Sequence, residues 1–196
     1  MSVRVLLIAL LIASCGGARA AEPSPPPRAD AAVIASIPDG PVVYEPEQLI
    51  FPPEEFPLKA DVARDAPVAV HGWEREFLTK GSADFRWFTV RLFVLDPDVP
   101  GSRFVADNGC GAVTWPDEQA VGFEVASGDT ATRACRYEFK DGSRVLYHAS
   151  GFRNVGILVG AQPRRDEVTD KIAVEWLAAL SAQQIAIVGR VLATAR

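Results

Sequence analysis

The chain has little of what catalytic and metal centres are commonly built from. It holds two histidines, His71 and His148, three cysteines, Cys15, Cys110 and Cys135, and one methionine. A zinc centre needs three or four His, Cys or carboxylate ligands. Two histidines in separate segments, with cysteines free to pair with each other, do not supply one. No C-x-x-C occurs, so the spacing of a thioredoxin-like redox pair is missing. No serine stands in a G-x-S-x-G elbow, because Ser150-Gly151 lacks the preceding glycine. Ser102, Ser143 and Ser150 are instead expected in turns, where a hydroxyl bonds the local backbone. Asp96-Pro97-Asp98 followed by Gly101 lacks the third ligand position and the terminal Glu of a calcium loop, and is expected to be a turn. No run of Lys and Arg occurs and the net charge is −5, which removes the electrostatic footprint of a nucleic-acid binder. No catalytic, cofactor-binding or metal residue is assigned on this reading. A triad assembled in space around His71 or His148 stays open as an alternative, since triads are set by geometry rather than by order in the chain.

What is present begins at the N-terminus. Arg4 precedes the nine apolar residues Val5 to Ala13. As a helix these span about 14 Å, far short of a ~30 Å hydrocarbon core, so the run has the anatomy of a signal peptide and not of a membrane span. Leu11-Ile12-Ala13-Ser14-Cys15, followed by Gly16-Gly17, resembles the lipobox of bacterial lipoproteins. The resemblance implies cleavage before Cys15, a diacylglycerol on its sulfur and an acyl chain such as palmitate on its new amino group. Two or more chains give stable anchoring where one does not. Gly16 stands where many inner-membrane lipoproteins of Gram-negative bacteria carry Asp, which implies an outer-membrane protein facing the periplasm. The alternative is Ala18-Arg19-Ala20, an A-x-A pattern whose use would release a soluble protein beginning at Ala21. Cysteine arithmetic favours lipidation. Cys110 and Cys135 form a natural pair in an oxidising compartment, and the odd Cys15 is then explained.

The expected organisation is a signal peptide over 1–14, a lipid-attachment cysteine and Pro-rich tether over 15–36, and one domain over 37–196. Loss of residues 1–14 removes Arg4 and no acid, taking the net charge to −6. Pro23, Pro25, Pro26 and Pro27 lie among small and charged residues, a composition that cannot bury apolar surface and spaces the domain from the headgroups. Residues 37–67 are Pro-rich yet carry Val42, Val43, Tyr44, Leu49, Ile50, Phe51, Phe56 and Leu58. We expect them to wrap the core with little regular structure.

The remainder alternates. Trp73 and Phe77 share a face with Arg75 between them, and Phe88, Val90, Leu92 and Val94 form one apolar face opposite Trp87, Thr89 and Arg91. Val121-Phe123-Val125, Cys135-Tyr137-Phe139, Val145-Tyr147 and Val155-Ile157-Val159 predict a four-strand meander. Asp141-Gly142 predicts a type I′ hairpin, and Ser150-Gly151 a bend. Asp166 should open a helix with Ile172, Trp176, Ala179, Leu180 and Ile187 on the sheet. His148 is expected on the sheet surface and His71 in a turn. The fold class is therefore α+β, an antiparallel meander sheet packed by a long C-terminal helix.

Gly72-Trp73-Glu74-Arg75-Glu76-Phe77, the strand pair around Asp141-Gly142, the run from Gly151 to Val159 and the helix beyond it resemble the PsbP-like fold. They are similar, too, to bacterial lipoproteins and sensor-like extracellular domains of that plan. The resemblance covers about Leu49 to Leu192 and implies a non-enzymatic accessory or binding role without assigning site residues. Such domains usually carry a helix after their early strands. Here Val99 to Asn108 is short and holds Pro100 and Gly101, so that helix is expected to be absent or reduced to a turn.

A Cys110–Cys135 disulfide would tie the Gly109-Cys110-Gly111 loop to the sheet and stabilise by roughly 3.5 kcal/mol on a chain-entropy argument. Trp115, just beyond Cys110, is a candidate recognition anchor, or else a cover for the disulfide. The functional expectation is a lipid-anchored, periplasm-facing, non-enzymatic envelope accessory or binding protein. It would need no cofactor and have an unknown envelope protein or small ligand as partner. The alternatives are a ligand or peptide sensor with a groove near Trp115, and a hydrolase with a hidden triad.

Overall fold

The computed structural model describes residues 40–50, 58–64, 69–79, 84–107, 119–127, 130–139, 141–164 and 168–194. Their elements are α1 (Pro46–Leu49), β1 (Leu58–Ala63), β2 (Ala69–Leu78), β3 (Phe85–Leu95), α2 (Gly101–Asp107), β4 (Gln119–Ser127), β5 (Thr130–Glu138), β6 (Arg144–Phe152), β7 (Val155–Pro163) and α3 (Asp170–Thr194). The strands make one seven-stranded antiparallel sheet in the order β1-β2-β3-β7-β6-β5-β4. Two meanders, β1 to β3 and β4 to β7, are joined where β3 pairs β7, in one register from Val94↔Val155 to Trp87↔Gln162 and with a shift before Phe85↔Pro163. The fold is α+β.

The central strands follow from their residues. β3 reads Phe-Arg-Trp-Phe-Thr-Val-Arg-Leu-Phe-Val-Leu, rich in the β-branched and aromatic side chains that suit a pleated surface. Phe88, Val90, Leu92 and Val94 face α3 together with Val155, Ile157, Val159 and Ala161 of β7. The opposite face of β3 carries Phe93 and Leu95, which pack with Phe104 and Val105 of α2 and with Tyr137 and Tyr147. α2 is thus two helical turns on the second face, where the sequence led us to expect no helix or a single turn. Its footing is a close approach of backbones: the Gly101 N–H donates to the Arg153 carbonyl, and a Cβ on Gly101 or Gly151 would strike the other's backbone. The meander turns at Gly142 (φ +78°), which donates to the Phe139 carbonyl while the Phe139 N–H donates to Ser143 O at 2.9 Å. The Phe139–Ser143 bond closes a loop longer than the two residues of the expected type I′ turn, with glycine in the left-handed position.

The N-terminal segment is more regular than expected, holding α1 with Pro46 in its first turn and the edge strand β1. Val42, Leu49 and Ile50 are buried, whereas Val43 and Leu58 are exposed. Two buried amides fasten it. Asn154 accepts from the Val42 N–H at 2.6 Å and donates to the Val42 and Leu95 carbonyls at 2.8 and 3.1 Å. Gln184 of α3 donates to the Leu49 carbonyl at 2.6 Å.

α3 is capped by Thr169, whose Oγ1 accepts from the Ile172 N–H at 3.3 Å, and starts at Asp170 rather than at Asp166. Arg136 and Arg144 reach Asp170 at 2.7 and 3.4 Å and fix that end over β5 and β6. The helix is long and apolar enough to cross a membrane by length and composition, but it lies on the sheet as a core element. Its buried stripe is Ala173, Leu177, Leu180, Ser181, Gln184 and Val188. Of the residues expected there, Leu180 and Ile187 are buried, while Ile172, Trp176 and Ala179 flank the contact. Trp176 still packs on Phe85 and Phe88, with ring centroids 4.6 and 5.7 Å away. The stripe is displaced by about one residue because Ser181 and Gln184 have polar partners inside, which a purely apolar periodicity misplaces. Leu177→Ala should accordingly cost about 3 kcal/mol in urea denaturation, and Ala179→Ser less than about 1 kcal/mol. The reverse order would put the wrong helical face on the sheet. Asn154→Ala, which leaves three buried backbone groups without a partner, should cost about 2–4 kcal/mol by the same measurement. A neutral result would mean that Val42 is held by apolar contact alone.

Candidate functional site

Cys135 is fully buried in β5 on the α2 face and is disulfide-bonded. Its partner lies outside the described residues, as do Cys15, Cys110 and Trp115, so the expected lipidation site, the Cys110 end of the pairing and the groove near Trp115 fall beyond the described structure.

The histidines stand elsewhere than expected. His71 is in β2, opposite Val94, and exposed; it is not in a turn. His148 is no surface residue. It lies in β6 on the α3 face, 5% exposed, between Ala134 and Val159 on the neighbouring strands, and its Nδ1 is 3.0 Å from Ser181 Oγ of α3. Burial pushes its pKa down to about 4. A neutral imidazole beside a hydroxyl has the makings of a nucleophile–base pair, but this one is sealed between helix and sheet and lines neither of the two pockets described below. Its evident work is to satisfy two buried polar groups across the main packing interface. Ser150, expected in a bend, lies in β6, which runs unbroken to Phe152. Ser150 is buried, and its hydroxyl has no hydrogen bond among the described residues. Ser102 is in α2 and Ser143 in the β5–β6 turn. No group of three or more His, Cys, Asp or Glu that could hold a metal occurs among the described residues.

The strongest buried charge cluster is one the sequence reading missed. Glu74 of β2, 5% exposed, accepts from Thr89 Oγ1 at 2.8 Å and pairs with Arg91 at 3.0 Å and with Arg64. Burial alone would raise its carboxyl. The Arg91 charge, with hydrogen bonds from Thr89, Arg64 and Arg91, outweighs that and leaves it below the usual range. Nearby, Lys59 pairs with Glu76 at 2.6 Å and lies 6.0 Å from the Trp87 ring. The register Glu74↔Arg91 and Glu76↔Thr89 builds this cluster. Only pairing across two strands would have revealed it.

Pockets among the described residues lie at opposite ends of β7. One, of about 440 Å³, is broad and lies where Gly40 and Pro41 cross Pro97, Pro100, Arg153 and Asn154. The other, of about 240 Å³, is polar and is lined by Arg86, Arg144 and Arg164 with Asp141, Ser143 and Pro163. These three arginines are far apart in sequence and meet because Phe85↔Pro163 and Leu146↔Ala161 set the ends of β3, β7 and β6 side by side.

The burial of His148 has a consequence for pH. Above about pH 6.5 the imidazole is neutral whether the chain is folded or unfolded, and stability is at its full value. Below that the unfolded chain takes up a proton that the folded chain refuses until about pH 4. Stability therefore falls as pH drops, by about 1.4 kcal/mol per unit within that window. Between pH 7 and pH 5 this single group should remove about 2 kcal/mol. Urea midpoints of the wild type and of His148→Gln at both pH values should differ by that amount in their pH dependence, and parallel losses would show that His148 is accessible to protons in the fold.

No protein-family model, no curated protein sequence and no solved structure matches the chain.

Proposed function

We propose that the chain is a lipid-anchored, periplasm-facing protein of the bacterial envelope that acts by binding and not by catalysis. The reading joins the lipobox-like run ending at Cys15 to a domain whose chemistry-bearing side chains are occupied in holding its layers together. One observation carries it: the His148–Ser181 pair is closed under α3, while the arginine-lined pocket and the broad pocket at Gly40 hold arginine, proline, acidic and turn residues and no histidine. Such surfaces present charge and shape to a ligand, and neither lining holds an imidazole base. The finer fold reading is PsbP-like. Helix α2, placed between the first three strands and the last four, supplies the helix that this resemblance calls for.

The anchor is tested by intact-mass analysis of membrane-extracted protein, which should show acyl chains on a product beginning at Cys15. Cys15→Ser should move the protein to the soluble fraction, and a mature product beginning at Ala21 would refute lipidation. The non-catalytic half is tested by complementing a deletion strain with His71→Ala, His148→Gln and Ser181→Ala variants that remain folded and localised. All three should retain the envelope role. Failure of a stable His148 or Ser181 variant would bring the hydrolase reading forward.

A further inference from the structure

The arginine-lined pocket is built against an electrostatic cost. Three guanidinium groups converge on about 240 Å³, and Asp141 is the one acid in the lining. In a chain of net charge −5 such a concentration of positive charge is a local exception. The three arginines are not equally committed. Arg144 is fixed in the fold: it donates to the Val168 carbonyl and lies 3.4 Å from Asp170. Arg164 donates through Nε to the Phe85 carbonyl at 2.7 Å, which orients its guanidinium and leaves the two terminal nitrogens without a hydrogen bond or ion pair among the described residues. Arg86 is exposed, and its side chain makes neither among the described residues. Asp141, opposite them, accepts from the Ser143 N–H at 2.9 Å. Hydrogen bonds from Ser143, with a smaller pull from Arg86, hold its carboxyl below the usual range.

Forked donors held around a small polar cavity suit an oxyanion with several acceptor oxygens, which guanidinium groups take in pairs of parallel hydrogen bonds. The cavity is below the ~300 Å³ at which pockets for drug-sized ligands begin, so it fits a single anionic group better than an extended molecule. We propose that this pocket binds a phosphate-type oxyanion, with Arg86 and Arg164 as its direct donors and Arg144 as a fixed charge in the wall. This rests on the reading of the chain as a binding protein and gives that reading a ligand class. The phosphate could be free or could belong to a phosphodiester headgroup, and two probes separate these sources.

The experiment uses full-length, detergent-extracted protein labelled with nitrogen-15. Inorganic phosphate and, separately, glycerophosphoglycerol are titrated at constant ionic strength against a chloride control. Saturable shifts of the Gly142 and Ser143 amides are expected, with half-saturation in the millimolar range typical of a small, solvent-open anion site. Chloride should produce none. Loss of one charge-assisted donor should weaken binding about tenfold or more in Arg86→Gln and in Arg164→Gln. Arg103→Gln, an equal loss of charge at an exposed side chain of α2, should bind as the wild type does. Arg86→Gln breaks no hydrogen bond among the described residues, so its fold should persist and its result stands whatever becomes of Arg164→Gln. Comparable binding of both probes assigns the site to a headgroup, and binding of inorganic phosphate alone assigns it to free phosphate. No saturable shift with either probe overturns the proposal, as does equal weakening by Arg86→Gln and Arg103→Gln. Neither of those results touches the anchoring and complementation tests of the broader function.

Discussion

The pairing of β3 with β7 is the constraint on which the rest of the molecule depends. Each meander alone would leave an edge strand of almost continuous apolar residues open to solvent. Joined, β3 and β7 become the centre of the sheet, with Val90, Leu92, Ile157 and Val159 against α3 and Phe93 and Leu158 on the α2 side. A slip of one residue would turn Trp87, Thr89 and Arg91 toward α3 and expel the apolar row. The register is therefore held by burial on both faces, more strongly than in a sheet with one wet face.

The polar groups inside this core act as fasteners between segments distant in sequence. Asn154 joins the β6–β7 turn to Val42 and Leu95, Gln184 joins α3 to Leu49, His148 joins β6 to Ser181, and Glu74 joins β2 to Thr89 and Arg91. Each of these four side chains has a polar partner, so its desolvation cost is offset where it arises. Apolar packing alone would tolerate small slides of the N-terminal segment or of α3. Directional bonds at Val42, Leu49 and Ser181 do not. The left-handed Arg153 (φ +52°) belongs to the same arrangement. Its carbonyl receives Gly101 and it precedes Asn154, so the unfavourable conformation is held by contacts on both sides.

This division explains what could be read from the sequence. Period-two alternation exposed β3 and the β4 to β7 meander, because apolar faces on regular strands leave a direct imprint. The same logic found α3 but displaced its stripe, since Ser181 and Gln184 count as surface residues until their partners His148 and the Leu49 carbonyl are known. α2 was discounted because Pro100 and Gly101 discourage a helix by propensity, yet Pro100 precedes the helix and Gly101 is required by the contact with Gly151. β1 was lost among prolines. His148 was misplaced because alternation alone cannot tell a polar residue with a buried partner from one in water. The arginine pocket left no local signal at all, as residues 86, 144 and 164 become neighbours only after the sheet order is known.

The two ends of the sheet have different duties. At the end where β7 begins, Asn154 holds Val42, and the described chain starts two residues earlier at Gly40. At the end where β7 stops, Pro163 borders the arginine pocket. A strand of this length spans roughly 25–30 Å, so the Asn154–Val42 fastening and the charged pocket are separated by about the length of β7. Strain applied through the segment before Gly40 would fall first on the Asn154 hydrogen bonds and the Gln184–Leu49 contact, both on buried residues packed against α3. The pocket rests instead on strand ends and on the Arg144–Asp170 link at the start of α3. The fold thus separates the fastening of the segment around Val42 from the arginine pocket.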